Sequence, residues 1–107
     1  MTNERISFLN GEFLPHKDCF IHIEDRGFQF ADGAYEVTLF KNGRLIDGTA
    51  HLGRLSRSLR ELNIEYNVSI DELTKMQLEL FARNQMDEGI CYIQVTRGST
   101  KRVPGCP

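Results

Sequence analysis

The feature that most constrains the fold is a change of hydrophobic period near the middle of this 107-residue chain. Before residue 47, apolar residues alternate with polar ones in short runs, which is typical of β-strands. Beyond it, Leu52, Leu55, Leu59 and Leu62 recur at steps of three and four, which predicts an amphipathic helix. Strands followed by helices predict an α+β fold, in which two helices pack on one side of a largely antiparallel sheet.

Two Asn-Gly pairs predict tight hairpins in the strand region, because this dipeptide accepts the positive φ angles of a two-residue turn. Asn10-Gly11 separates two short apolar runs, and Asn42-Gly43 connects a strand at 34–40 to a shorter one at 44–46. Along the strand at 34–40, odd-numbered and even-numbered residues are expected to point to opposite faces.

The remaining elements are predicted from period and end signals. A strand is expected at 19–23, followed by a turn-rich segment at 24–33. The leucine stripe predicts a helix from about Thr49 to Leu62. A second helix is expected to begin at the capping box Ser69-Ile70-Asp71-Glu72 and to end at Gly89, before a strand at 91–96.

Composition limits the function classes. The length fits one domain over residues 1–107, and a net charge of −2 gives no basic field for nucleic acid. No apolar run reaches the roughly 18 residues of a membrane helix, and no signal peptide is recognised at the start. Three cysteines without an export signal predict reduced thiols and a cytoplasmic protein.

A metal site is considered at His16, Cys19 and His22, which recur at steps of three. Structural zinc takes four ligands, and this run offers no fourth. In a strand, Cys19 and His22 would also point to opposite faces. We therefore predict no metal site.

Basic residues on the first long helix and near the end of the chain leave two interpretations open. Arg54, Arg57 and Arg60 are either solvated charges opposite the leucine stripe or an anion site, since guanidinium groups bind phosphate and carboxylate bidentately. Arg54 shares a helix face with His51 and adjoins the stripe, so it is the better candidate to point inward. The loop at 97–107, which is rich in basic residues, is either solvated or able to capture one small anion.

Several segments together resemble one enzyme family. They are Asp25–Val37, Asn42-Gly43, Ala50–Leu55 and Tyr92–Gly98. In order and spacing they resemble the N-terminal domain of fold-type IV pyridoxal-phosphate enzymes, which include D-amino-acid transaminases, branched-chain aminotransferases and aminodeoxychorismate lyases. The resemblance spans nearly the whole chain and is greatest to the D-amino-acid branch.

The resemblance implies specific roles. Arg54 matches the arginine that holds the phosphate of pyridoxal 5'-phosphate, and Tyr35 matches a tyrosine on the substrate side. Arg102 matches the arginine that captures the substrate carboxylate from the neighbouring subunit, which implies a homodimer. The complete enzyme is then expected to transfer an amino group from an amino acid to a 2-oxo acid.

Departures from the family pattern are also visible. Arg102-Val103 is followed by Pro104 where the family has histidine, and Ala31 stands where glycine is common. None of the chain's lysines matches the one that forms the Schiff base with the cofactor; these are Lys17, Lys41, Lys75 and Lys101. That lysine belongs to the C-terminal catalytic domain, so we expect no catalytic residue here and an inactive 107-residue chain. An aminodeoxychorismate lyase or branched-chain aminotransferase fragment, and a non-catalytic truncated domain, are the alternatives.

Overall fold

The computed structural model describes residues 4–99. This part of the chain contains five strands and three α-helices, with a short 3-10 turn at His16–Asp18. In chain order the elements are β1 (Ile6–Leu9), β2 (Glu12–Pro15), α1 (Arg26–Phe30), β3 (Gly33–Lys41), β4 (Arg44–Leu45), α2 (Gly48–Glu61), α3 (Ile70–Arg83) and β5 (Glu88–Thr96).

The strands form two antiparallel sheets. β3 is the central strand of a three-stranded sheet in the order β4-β3-β5, and β1 pairs with β2 in a separate hairpin. β3 and β5 pair along their whole length, from Gly33 opposite Thr96 to Lys41 opposite Glu88. Both predicted Asn-Gly hairpins are confirmed, and all four turn residues have the positive φ angles that this turn type requires.

The core lies on one face of the three-stranded sheet. α2 contributes Leu52, Leu55 and Leu59, which pack in one buried cluster with Ala34 of β3 and Leu73 of α3. A second cluster joins the sheet to α3 through three residues, Phe40, Phe81 and Cys91. Both helices therefore pack on the same side of an antiparallel sheet, and the predicted fold class is confirmed.

The segment between the hairpins differs from the prediction. Residues 19–23 form no strand, and Ile21 and Ile23 are exposed, so the alternation there does not reflect a buried face. The predicted turn segment contains α1, because the Asp25 carboxylate accepts a hydrogen bond from the Gly27 amide and caps the helix.

Helix boundaries are predicted well except at the end of α3. The Ser69 hydroxyl caps that helix by accepting from the Glu72 amide, as the capping box predicts. The helix ends at Arg83 rather than at Gly89, because Asn84 hydrogen-bonds the Leu80 carbonyl through its side chain and Gln85 turns to a positive φ. Gly89 lies inside β5. No helix in residues 4–99 has the length and apolar character needed to cross a membrane.

Candidate functional site

The leucine stripe of α2 determines where its polar residues lie. Because Leu52, Leu55 and Leu59 face the sheet, His51 and Arg54 lie beside the buried stripe and reach towards β3. As predicted, Arg54 is the arginine that reaches inward, because it bonds Glu36 of β3, but its side chain stays largely exposed; Arg57 is exposed as well. The anion-site interpretation of this helix face therefore depends on what Arg54 contacts.

Arg54 contacts a buried carboxylate on the central strand. Its Nε donates to Glu36 Oε2 at 2.9 Å and its Nη2 donates to Glu36 Oε1 at 2.8 Å, which is the bidentate geometry of a strong guanidinium–carboxylate pair. The Glu36 side chain is 6% exposed and that of Arg54 is 59% exposed. One edge of the guanidinium is thus fixed by the protein, while much of the group remains accessible.

His51 contacts the same carboxylate. Its Nδ1 lies 2.7 Å from Glu36 Oε1 and 3.5 Å from Arg54 Nη2. A carboxylate oxygen only accepts, and Arg54 only donates, so the short contact requires the proton on His51 Nδ1. We call these three residues the Glu36 cluster: Glu36, His51 and Arg54.

Glu36 and Arg54 are both charged at neutral pH. The hydrogen bond from Arg54 lowers the pKa of Glu36 below its ordinary value; burial opposes this shift, and the hydrogen bond from His51 reinforces it. The same hydrogen bond with Glu36 raises the pKa of Arg54. A buried carboxylate with three donors is satisfied without protonation, so the pair of Glu36 and Arg54 remains intact at neutral pH.

Tyr35 lies on the other face of β3. Its side chain is 61% exposed and stacks on Tyr92 of β5, with ring centroids 5.4 Å apart. The structure therefore does not bring Tyr35 into contact with Arg54. The third predicted site residue, Arg102, lies outside the described residues.

The open face of the sheet around Tyr35 is largely apolar. Its exposed apolar side chains are Tyr35, Val37, Leu39, Ile90 and Tyr92, and its polar ones are Gln94 opposite Tyr35 and the end pair Lys41 and Glu88. The substrate-side role of Tyr35 and the carboxylate role of Arg102 stay predictions.

A second Arg–carboxylate group fixes the segment before β3. Asp32 accepts from Arg26 Nε at 2.8 Å, and from Arg97 Nε at 2.7 Å and Nη2 at 3.2 Å. Arg97 also donates to the backbone carbonyls of Leu62 and Asn63 at the end of α2. We call Asp32, Arg26 and Arg97 the Asp32 clasp. These residues connect α1, the start of β3 and the end of β5, and Arg97 adds the end of α2.

Two glycines of the same segment are required for close packing. A Cβ on Gly33 would lie 2.7 Å from the Val95 carbonyl oxygen, and a Cβ on Gly27 would overlap the Thr96 side chain. Much of the segment 25–33, which carries part of the family resemblance, therefore maintains the fold. Glu36, by contrast, belongs to the site and was not singled out from the sequence, although it is a charged residue in the middle of a strand and lies within the family-like segment Asp25–Val37.

The residues considered for a metal have other partners. His16 Nδ1 lies 2.6 Å from the Ser7 hydroxyl, and the Cys19 thiol donates to the Pro15 carbonyl. His22 Nδ1 accepts from the Glu24 amide. Across residues 4–99, no three His, Cys, Asp or Glu side chains are grouped as metal ligands would be.

Comparison with known proteins defines the class. The amino-transferase class IV family model matches residues 33–107, and the chain belongs to that family. A D-alanine aminotransferase of Staphylococcus aureus is 40% identical over 95 residues, which are 89% of this chain and 34% of the relative. The chain thus spans about one third of the length of the curated relatives it matches.

Solved structures agree with this assignment. The branched-chain amino acid aminotransferase of Escherichia coli superposes with a TM-score of 0.84 at 18% identity, over 99% of this chain and 36% of that one. A 4-amino-4-deoxychorismate lyase of Pseudomonas aeruginosa superposes with a TM-score of 0.60 at 26% identity, over 83% of this chain and 32% of that one. The fold is therefore shared with about one third of each of these chains.

Proposed function

We propose that this chain is the cofactor-anchoring N-terminal domain of a pyridoxal-phosphate-dependent aminotransferase that acts on D-amino acids. The observation that carries the proposal is the Glu36 cluster, which presents a permanently charged guanidinium with one edge fixed and the rest exposed. Similarity to D-alanine aminotransferases supports D-alanine as a substrate, with a 2-oxo acid as the acceptor.

The donors of Arg54 fit a phosphate. Nε and one N–H of Nη2 are engaged by Glu36, and the Nη1 side has no hydrogen-bond partner among residues 4–99. That edge offers two parallel N–H groups, which match two oxygens of a phosphate dianion. When bound, pyridoxal 5'-phosphate supplies the carbonyl group and electron-withdrawing ring that transamination needs.

The other predicted residues would act on the substrate. Tyr35 is exposed on the open sheet face, where its hydroxyl is available to donate to a carboxylate. Arg102 would hold the α-carboxylate of a substrate bound by the neighbouring subunit, which is why a homodimer is part of the proposal.

The unpaired thiols of Cys19 and Cys91 support a cytoplasmic location as part of the proposal. Burial raises the pKa of the Cys91 thiol to about 11, so it stays protonated and unreactive at neutral pH.

The proposal is tested by the intact mass of the protein from its own source after borohydride reduction, which fixes an imine-linked cofactor covalently. A chain well above the 12.3 kDa of residues 1–107, carrying a pyridoxyl adduct, is expected. A 12.3 kDa chain without an adduct would instead support the non-catalytic alternative.

The lyase alternative has its own support in the likeness to the Pseudomonas aeruginosa enzyme. The two activities are separated by incubating the loaded protein with D-alanine and a 2-oxo acid, and separately with 4-amino-4-deoxychorismate. Amino transfer in the first assay supports the proposal. Pyruvate release in the second, without amino transfer in the first, contradicts it.

A further inference from the structure

We propose that Glu36 is a positioning residue for phosphate recognition, which it serves by holding the guanidinium of Arg54 in the orientation that an anion needs. This inference rests on the function proposed above. It assigns a role to a residue that would not itself touch the cofactor.

The contacts of Glu36 use both of its oxygens. Oε2 accepts from Arg54 Nε, while Oε1 accepts from Arg54 Nη2 and from His51 Nδ1. The carboxylate is buried on the helix-facing side of β3, so it is a fixed point of the sheet. Arg54, whose side chain is 59% exposed, would otherwise sample many rotamers.

His51 fixes the carboxylate from the second side. It lies one helical turn before Arg54 on α2, and its Nδ1 is 2.7 Å from Glu36 Oε1. Rotation of the Glu36 carboxylate would break this bond and the Arg54 bonds together. Strand and helix therefore fix the orientation of one guanidinium.

Glu36 has two effects on an anion at Arg54, and they have opposite signs. As a negative charge it repels the anion, and as a hydrogen-bond acceptor it removes the cost of ordering the arginine. Because the Arg54 side chain is 59% exposed, water screens the repulsion between Glu36 and the anion. The hydrogen bonds that order Arg54 are made to a carboxylate that is 6% exposed, so water weakens them less. We therefore expect removal of the Glu36 charge to weaken phosphate binding.

The experiment uses the protein at the full length found in its own source. It compares the affinities for pyridoxal 5'-phosphate and for pyridoxal, because their ratio isolates what the phosphate contributes. We expect Glu36→Gln to lower this ratio about tenfold, and Glu36→Asp to lower it as well, because the shortened side chain keeps its charge but loses reach. In Arg54→Lys, the further change Glu36→Gln should have little effect, since the two residues act as one unit.

Glu61→Gln, the same change on the exposed surface of α2, is the matched control and should leave the ratio unchanged. A ratio that rises in Glu36→Gln overturns the proposal, because it means that the carboxylate competes with the phosphate. Glu36→Asp keeps the inference testable should Glu36→Gln fail to fold, which circular dichroism would reveal. An unchanged ratio in a folded Glu36→Asp then overturns it.

A second readout separates this inference from the proposed function. Hydrogen exchange of the Arg54 Nε–H, followed by NMR, should be slower in the wild type than in either Glu36 variant. If the wild type binds pyridoxal 5'-phosphate and pyridoxal with nearly equal affinity, and Arg54→Lys does not change this ratio, the proposed phosphate site is contradicted. Equal exchange in wild type and variants would contradict the positioning role of Glu36.

Discussion

Two Arg–carboxylate pairs beside the same sheet are alike in geometry and unlike in exposure. Arg54 pairs bidentately with Glu36 in the Glu36 cluster, and Arg97 pairs bidentately with Asp32 in the Asp32 clasp. In both, hydrogen bonding to the arginine lowers the pKa of the carboxylate below its ordinary value. From the pairs alone, neither would be distinguished as a ligand site.

The donors that remain on each arginine make the distinction. Arg97 donates one further N–H of Nη2 and one of Nη1 to the carbonyls of Leu62 and Asn63, at the negative end of the α2 dipole, and its side chain is 35% exposed. Arg54 is 59% exposed and keeps its Nη1 edge unpaired within residues 4–99. An arginine whose three nitrogens are all bonded by the protein maintains the fold, whereas one whose Nη1 is not bonded can bind an anion.

Truncation of each arginine side chain is the most direct test of whether Arg54 binds an anion and Arg97 maintains the fold. Arg54→Met is expected to lower the affinity for pyridoxal 5'-phosphate about 100-fold, because two charge-assisted hydrogen bonds to the phosphate are lost. Arg97→Met is expected to lower the midpoint of thermal unfolding, since it leaves Asp32 and the end of α2 without their partner. Cofactor titration and thermal melts of both variants measure the contrast.

Arg57→Met, on the exposed face of α2, is the control and should change neither quantity appreciably. If the two variants lose the same cofactor affinity at a temperature where both are folded, the Asp32 clasp is part of the ligand site and the distinction fails.

The sequence predicts the fold better than it predicts this site. The change of period and the two Asn-Gly turns are local properties, and they were enough to predict an antiparallel sheet with two helices on one side. On β3, however, the helix-covered face carries Glu36 and Thr38, while the more apolar face carrying Tyr35 is open. Burial of Glu36 depends on donors 15 and 18 residues away, and no local pattern records that.

The pH dependence of stability tests both pairs, because each contains a carboxylate with a lowered pKa. A carboxylate with a lowered pKa stabilises the folded state above its unfolded pKa and loses this contribution as pH falls through the folded one. The ordinary pKa values are 4.5 for Glu36 and 3.8 for Asp32, so the stabilisation that these two carboxylates provide is expected to be complete above about pH 5 and to decline below about pH 4.5.

Urea unfolding at several pH values measures this dependence. Glu36→Gln should flatten the upper part of the acid transition, and Asp32→Asn the lower part. A variant that leaves the slope unchanged would show that its carboxylate is not paired in solution.

A third buried polar group, Gln77, tests how much an unpaired hydrogen-bonding atom lowers the stability of the fold. Gln77 is 1% exposed; its Nε2 donates to the Leu73 carbonyl, but its Oε1 is buried with no hydrogen-bond partner among residues 4–99. Gln77→Met keeps the volume and removes the unpaired oxygen, so we expect a gain of about 1 kcal/mol in the free energy of unfolding. Gln29→Met, at an exposed site, should change it little, and a loss of stability at position 77 would argue that Oε1 has a partner.

The smallest effect is expected beside the Asp32 clasp, at Ala31. This residue ends α1 in the left-handed region, with a φ of 56°, where an L side chain is strained and glycine is favoured. Ala31→Gly removes that strain but gives the unfolded chain more freedom, so a net gain of about 0.5 kcal/mol is expected. Chemical denaturation resolves such a change against Ala82→Gly in α3, which should cost about 1 kcal/mol because that residue is helical. Cofactor affinity should not change in Ala31→Gly, since the strain belongs to the clasp segment and not to the Glu36 cluster.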